Sequence, residues 1–433
     1  MRRGTTVREI RNEQLKLSAF HDQLDNGLDV YVIPREGFKQ TYAMFSTKYG
    51  SIDREFVVPG ESEPTIVPDG IAHFLEHKMF EQENGEDVFK TFARYGAMSN
   101  AFTSFDTTAY LFSSTDFLDE NLTTLLNYVQ EPFFTDENVE KEKGIIEQEI
   151  RMYDDDPNWR VYFNLIEGMY QVHPIAIDIA GTVETIQQID KDTLYKCYNT
   201  FYHPSNMSVV VVGDCDPAHV HALIRENQAG KKFQRQPEIE RIFPDEPTPV
   251  RRARHEERML ISMPKLQFGY KDMSRPTGKD MIINEYATSI GLEALIGKSS
   301  ALFNKMYEEG IVDKRFGWSY DATPRFAHSL FGGNSKDPDR VLQVVEAAFA
   351  EALQNGISEA DFNRARNKMI GQMVSTLDSA RAIARHFTTY TFRNADFFDI
   401  IDVMENLTLE QVNQRLREHL VPEMLTVSIV LPK

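Results

Sequence analysis

Val67-Pro68-Asp69-Gly70-Ile71-Ala72-His73-Phe74-Leu75-Glu76-His77-Lys78-Met79-Phe80 is the stretch on which the reading of this chain turns. It contains the pattern H-x-x-E-H. On a helix, residues four apart share a face, so His73 and His77 present two imidazoles to a single ion, with Glu76 on the same side. Two neutral nitrogen ligands beside a carboxylate able to accept a proton from water form a donor set suited to a hydrolytic metal. The preceding Val67-Pro68-Asp69-Gly70 is turn chemistry and makes Asp69 the expected helix cap. Ile71, Ala72, Phe74, Leu75, Met79 and Phe80 predict a helix packed against a core rather than a solvated one. With 11 His in 433 residues, the pattern arises by chance in about a few per cent of such chains, so further residues must decide.

A catalytic zinc takes three protein ligands and leaves one place for water. The third candidate lies in an acid-rich, helix-forming run between Asp136 and Glu149. Glu142 and Glu149 are two helical turns apart and share a face. Glu149 follows His77 by 72 residues. Without the paired histidines this run would read as an ordinary solvated helix.

H-x-x-E-H followed some seventy residues later by Glu-(six residues)-Glu resembles the pitrilysin/insulysin family of inverted-motif zinc metallopeptidases, which includes mitochondrial processing peptidase. Ser99-Asn100-Ala101-Phe102-Thr103-Ser104, His173-Pro174 with Ala180-Gly181-Thr182-Val183-Glu184-Thr185-Ile186, and the run from Phe201 to Asp214 resemble further family segments. The likeness covers most of residues 20–230, is weaker beyond them, and is nearest to two-domain bacterial members.

The resemblance implies one Zn2+ per chain, held by His73, His77 and Glu149, with Glu76 as general base and Glu142 orienting a histidine. It implies that an extended peptide adds to an edge strand at Asn100, Ala101, Phe102 and Thr103. It implies a zinc-dependent endopeptidase for small unfolded peptides or peptide precursors. Its two homologous domains would face each other around a chamber, and it would form a homo- or heterodimer with a related two-domain chain. The alternative is a non-catalytic peptide-binding or scaffold subunit of a heterodimer. One departure stands out. Active relatives often carry an Arg and a Tyr seven residues apart in the second half, to stabilise the developing oxyanion. Here Tyr307 and Asp313 or Lys314 occupy those places, with Arg315 and Tyr320 near but wrongly spaced.

Composition sets outer bounds. The length and a hydrophobic content of 41% suit two packed domains. A formal charge of −19 argues against nucleic acid or an anionic membrane as partner and suits a basic or neutral peptide. Cys197 and Cys215 lack metal spacing and read as reduced thiols. Residues 1–6 are basic with no apolar segment after them, Glu9 and Glu13 argue against a mitochondrial presequence, and no run of 18 apolar residues occurs. The expectation is a cytoplasmic bacterial protein with no membrane span.

Turn residues 25–28 between strands predict a hairpin. Strands are expected at 42–49, 99–105, 108–113 and 209–213, and helices at 86–95, 117–129 and 136–152. Short turns between them imply mostly antiparallel pairing, hence an α+β fold in which each domain is a sheet packed with helices. The expected boundaries are a first domain at 1–230, a Pro- and charge-rich linker at 231–254, and a second domain at 255–433. The second half repeats the plan of the first. Asp190 and Thr408, each followed by an amphipathic helix, a proline and a β-rich run, stand 218 residues apart. About one repeat after the metal motif, in a helix expected at 284–297, stand Ile290, Glu293 and Ala294, or residues one step away, in place of the His, Glu and His, so the second domain should lack metal ligands.

Overall fold

The computed structural model describes residues 7–85 and 87–433. The expectations for residues 1–6 and for Glu86 lie outside the described residues. In chain order the first strands are β1 (Arg8–Asn12), β2 (Leu17–Gln23), β3 (Asp29–Pro34), β4 (Thr41–Thr47), β5 (Glu55–Val57) and β6 (Pro64–Ile66). Then come α1 (Ile71–Lys78), α2 (Val88–Arg94), β7 (Met98–Thr103), β8 (Thr108–Ser114), α3 (Leu118–Tyr128), α4 (Asp136–Asp155) and α5 (Pro157–Met169). Next are α6 (Val183–Ile186), α7 (Lys191–Phe201), β9 (Met207–Gly213), α8 (Pro217–Ala229) and β10 (Glu240–Arg241). The second half contains β11 (Arg254–Met259), β12 (Lys265–Asp272), α9 (Gly278–Ile296), α10 (Ala301–Glu308), β13 (Gly317–Ala322) and β14 (Ala327–Asn334). It ends with α11 (Pro338–Asn355), α12 (Glu359–Thr376), α13 (Ala380–Phe392), α14 (Asp399–Asn406), α15 (Leu409–His419) and β15 (Leu425–Pro432).

The chain divides into two compact units. The first comprises residues up to Ile150 with Asp178–Phe243 and Thr376–Thr389. The second comprises Arg151–Ile177, Pro244–Ser375 and Tyr390–Lys433. Among the described residues, the first unit's main sheet runs β1-β2-β3-β9-β4-β8-β7, and the second unit's runs β11-β15-β12-β14-β13. The last five strands of the first order match the second strand for strand. In each sheet one pair is parallel, β3 with β9 and β11 with β15, and the others are antiparallel. This is the expected α+β arrangement.

The offset of 218 holds residue by residue from α7 to α15 and from the start of β9 to that of β15. Asp190 accepts the amide of Thr193, and Thr408 accepts the amide of Gln411. Each such cap is worth about 1 kcal/mol and fixes where its helix begins.

The expected boundaries need correction. Residues 151–177 group with the second unit, where α5 packs on β12 and β15 and buries Val161, Leu165, Ile166 and Met169. Residues 376–389 group with the first. Nor is 231–254 a bare linker. β10 pairs with β5, and Arg241 Nε donates to Asp53 Oδ1 at 2.9 Å. Further on, the Glu246 carboxylate accepts the amides of Gln171, Val172 and His173 at 2.9 Å each. A two-residue strand and a few buried polar bonds leave no periodicity for a sequence reading to detect.

The first unit's core lies on one face of its sheet. Val30, Val32, Ala43, Phe45, Tyr110, Phe112, Val209 and Val211 alternate onto that face and bury against Phe74 and Leu75 of α1 and Leu122 and Leu125 of α3. The cap of α1 also differs from expectation. Gly70, not Asp69, is the N-cap, at φ 89°, and no side chain caps the helix; Asp69 instead pairs with Arg54 at 3.4 Å. A Cβ on Gly70 would lie 2.3 Å from the Ala180 carbonyl oxygen, and one on Gly181 2.5 Å from the Asp69 carbonyl oxygen. Two glycines thus let the chain at 180–181 lie directly against the start of the metal-motif helix. Gly70→Ala combines left-handed strain with a backbone clash and should cost about 2–4 kcal/mol. That lowers the first unit's thermal midpoint by about 5–10 °C in calorimetry; an unmoved midpoint would show that this contact is not needed.

Both cysteines are free of disulfides. Among the described residues no helix is long and apolar enough to cross a membrane.

Candidate metal centre

Helix α1 is almost wholly buried. Ile71, Ala72, Phe74, Leu75 and Lys78 anchor it, leaving His73 and His77 on the remaining stripe. Helix α4 buries Val139, Ile146 and Ile150 at helical spacing and turns Glu142 and Glu149 toward α1. The structure therefore brings together the three expected ligands, with one ligand atom of each within 4.8 Å of the others. His73 Nε2 lies 3.7 Å from Glu149 Oε1, and His77 Nε2 lies 3.5 Å from Glu149 Oε2. Those gaps are too long for hydrogen bonds. They are close to the edge, about 3.3 Å, of a tetrahedron with metal–ligand bonds of about 2.0–2.1 Å. The donor set fits a zinc ion.

Electrostatics supports the ligand roles. His77 Nδ1 donates to Glu142 Oε1 at 3.0 Å. A carboxylate can only accept, so Nδ1 carries the proton and Nε2 of the neutral ring is left with a lone pair directed at Glu149. Burial alone would lower the pKa of His77, but the hydrogen bond and charge of Glu142, with Glu76 and Glu149, raise it above its ordinary value. Burial, then the neighbouring His77, push His73 down to about 3, so it is neutral in ordinary conditions. His73 Nδ1 is buried with no hydrogen-bond partner among the described residues, so its tautomer is not fixed as that of His77 is.

Glu76 points elsewhere. Thr103, the last residue of β7, donates its hydroxyl to Glu76 Oε2 at 2.6 Å. Burial raises the Glu76 pKa, the Thr103 bond and His77 oppose this, and Glu149 adds to it. A raised carboxyl pKa means that the base form is lost, as pH falls, earlier than in an ordinary glutamate. Thr103→Val removes a bond that favours the ionised form, so the acid limb of the pH–rate profile should move to higher pH and kcat should fall about tenfold. An unmoved acid limb would show that Thr103 does not hold Glu76.

Among the described residues β7 has β8 on one side and no strand on the other. Ser104 N donates to Thr107 O at 2.8 Å, closing the β7–β8 hairpin. Antiparallel alternation then directs the backbone groups of Asn100 and Phe102 to β8 and those of Ser99, Ala101 and Thr103 outward. Of the four expected substrate-strand residues, Ala101 and Thr103 offer free-edge backbone, joined by Ser99, while Asn100 and Phe102 do not. The Ala101 amide is taken by Asn100 Oδ1 at 2.9 Å and would have to be released.

Two features escaped the sequence reading. One is the Thr103 hydroxyl on Glu76; alternation in β7 marks the side to which Thr103 points but not its partner. The other is Lys78, fully buried, with Nζ 2.7 Å from Glu81 and 3.8 Å from Glu142. It balances charge behind the histidines, and nothing in its spacing announced it.

The second unit keeps the frame without the ligands. Ile290 and Ala294 are buried apolar residues. Glu293 binds Lys368 Nζ at 2.5 Å and accepts Trp318 Nε1 at 3.2 Å. An ion pair thus engages Glu293, the acid nearest the expected repeat position of the metal motif.

Duplicated α+β units, one bearing an inverted H-x-x-E-H helix and a distant glutamate, define a class of metallopeptidase fold. The chain belongs to the M16 peptidase family, whose insulinase description, "Insulinase (Peptidase family M16)", matches residues 63–183 and whose "Peptidase M16 inactive domain" description matches residues 188–369. It is 47% identical over 428 residues to the uncharacterized zinc protease YmfH of Bacillus subtilis, covering 99% of this chain and 100% of that one. The crystal structure of an M16-like peptidase from Alicyclobacillus acidocaldarius superposes with a TM-score of 0.94 at 43% identity, covering 98% and 100% of the two chains. A Helicobacter pylori protease shares the fold, with a TM-score of 0.80 at 21% identity over 99% of this chain and 100% of that one.

Proposed function

We propose that this chain is a zinc-dependent endopeptidase that cleaves small unfolded peptides or peptide precursors, working with a related two-domain partner chain. The observation that carries this reading is the convergence of His73, His77 and Glu149 on one point, with Glu76 held beside them by the edge strand. His73, His77 and Glu149 would hold the zinc, which would supply a Lewis acid for the scissile carbonyl and for the attacking water. Glu76 takes the proton from that water and hands it to the leaving amine. Thr103 keeps the carboxylate in position, and Glu142 keeps His77 in the ligating tautomer. A peptide pairing with the free edge of β7 is held through backbone groups, so the binding tolerates many sequences and requires an extended chain.

The partner enters because the expected oxyanion pair is missing. Tyr307 is exposed, Asp313 is paired with Arg315 at 2.7 Å, and the Tyr320 hydroxyl donates to Asp272 at 2.8 Å. A scaffold subunit would have no need to keep three ligands and a base in register, which favours catalysis. Chain purified from its native cell with its co-purifying partner should contain about one zinc, cleave unstructured peptides, spare folded proteins and stop on chelation. Zinc bound at full stoichiometry with no cleavage, partner present, would leave the scaffold reading in its place.

A further inference from the structure

Strand alternation gives β7 two chemistries. Thr103, Ala101 and Ser99 share the α1 face, whereas Met98, Asn100 and Phe102 point to the opposite face. On that opposite face lies a cleft of about 1170 Å3, bounded by β7, by the loop before β4 and by the first two turns of α13. All of its lining residues belong to the first unit.

The cleft is cationic in an acidic chain. Arg381 and Arg385 stand one turn apart on α13, both exposed. The Arg385 guanidinium lies 4.8 Å from the centre of the Phe102 ring. Neither arginine is paired with a carboxylate among the described residues. With Lys39 they make three cations against one acid, Asp378, a local balance of +2 where the whole chain carries −19. The start of α13, with Ser379 Oγ accepting the Ala382 amide at 3.2 Å, adds the positive end of a 13-residue helix. The cleft also contains an unused donor. Tyr42 is only 4% exposed, lines the cleft, and its hydroxyl has no hydrogen-bond partner among the described residues. Burial raises its pKa, against the pull of Arg381 and Arg385, so it is a protonated donor.

We propose that this cleft is a specificity subsite for an aspartate or glutamate side chain of the peptide, bound by Arg385 and Arg381 with the Tyr42 hydroxyl as an additional donor. The proposal rests on the reading that substrate pairs with β7. In a peptide so paired, side chains alternate, and those facing Phe102 flank the residue opposite Thr103. The acid therefore lies about one or two residues from the scissile bond. Net charge alone suits a basic peptide. Yet surface repulsion is screened beyond about 8–10 Å, while a carboxylate against two guanidiniums in a half-closed cleft is screened far less.

The test uses three unstructured peptides identical except for Glu, Gln or Lys flanking the cleavage position. Binding to the full-length Glu76→Gln chain is read by fluorescence anisotropy, and kcat/KM is read with the unmodified chain. The Glu peptide should bind about tenfold or more tighter than the Lys peptide, with the difference shrinking in high salt. Arg381→Gln with Arg385→Gln should erase the difference, and Arg385→Glu should reverse it. Equal affinity for all three, binding of none, or a double variant that weakens all three alike would overturn the subsite. Charge-selective binding without cleavage would retire the peptidase reading and leave the subsite standing. Cleavage without charge selectivity would retire the subsite alone.

Discussion

Glu76→Gln is expected to lower peptide hydrolysis by about three orders of magnitude while leaving close to one zinc per chain. The argument is geometric. The ligand atoms that converge come from His73, His77 and Glu149, and Glu76 is not among them. Its carboxylate is instead engaged by Thr103 at 2.6 Å. Glutamine has the same shape and still offers an oxygen to that hydroxyl, so α1 and β7 should keep their positions. What it cannot do is accept a proton from water. General-base catalysis contributes about 10²–10⁴ in rate, and here the same group also returns the proton to the leaving amine. Burial is the largest effect on the Glu76 carboxylate and disfavours its charge, with repulsion from Glu149 adding to it, so the neutral variant should be no less stable than the parent. Metal content by elemental analysis and turnover of a fluorogenic peptide check the two halves separately. Metal lost together with activity would mean that Glu76 is a ligand and that the roles of the acids are misassigned.

How far the sequence carried this reading depends on how local each feature is. His73, Glu76 and His77 lie within one helical turn and a half, so helix periodicity alone placed them. Glu149 needed the family resemblance, because a glutamate in an acid-rich helix looks solvated until α4 is seen against α1. The duplication was visible in the α7 and α15 segments because caps, prolines and strand starts keep their spacing when side chains drift. Domain membership was hidden. Whether residues 151–177 pack on one sheet or the other depends on the surface that α5 meets, and its amphipathic pattern suits either. The cap of α1 failed for a similar reason. Asp69-Gly70 reads as a side-chain cap, but the approach of Ala180 and Gly181, distant in sequence, demands glycine at the helix start. The local charge of the β7 cleft was invisible for the same cause, since Arg381 and Arg385 lie nearly 300 residues from Phe102 in the chain.

Glu149→Gln is the second large effect, and it separates a ligand from a supporting residue. If Glu149 is the third donor, the variant retains two imidazoles and a neutral amide, and zinc affinity should fall on the order of a thousandfold, with activity falling alongside it. Glu142→Gln should be milder, about 10–100-fold in affinity, because it disturbs only the orientation and basicity of His77. Stability reads the same difference. Zinc that binds only the folded chain stabilises it by about 4 kcal/mol when present at a thousand times its Kd. The unmodified chain should therefore gain several degrees of thermal midpoint on zinc addition, and Glu149→Gln should gain almost none. Without metal the order should reverse. Glu76, Glu142 and Glu149 crowd one site in which His73 is neutral, so deleting one charge relieves repulsion and the metal-free variant should melt no lower than the metal-free parent. Two melting curves for each protein, with and without zinc, decide it. A Glu149→Gln chain that keeps its zinc shift and its turnover would remove Glu149 from the metal, and the three-ligand site would then have to be rebuilt around another donor.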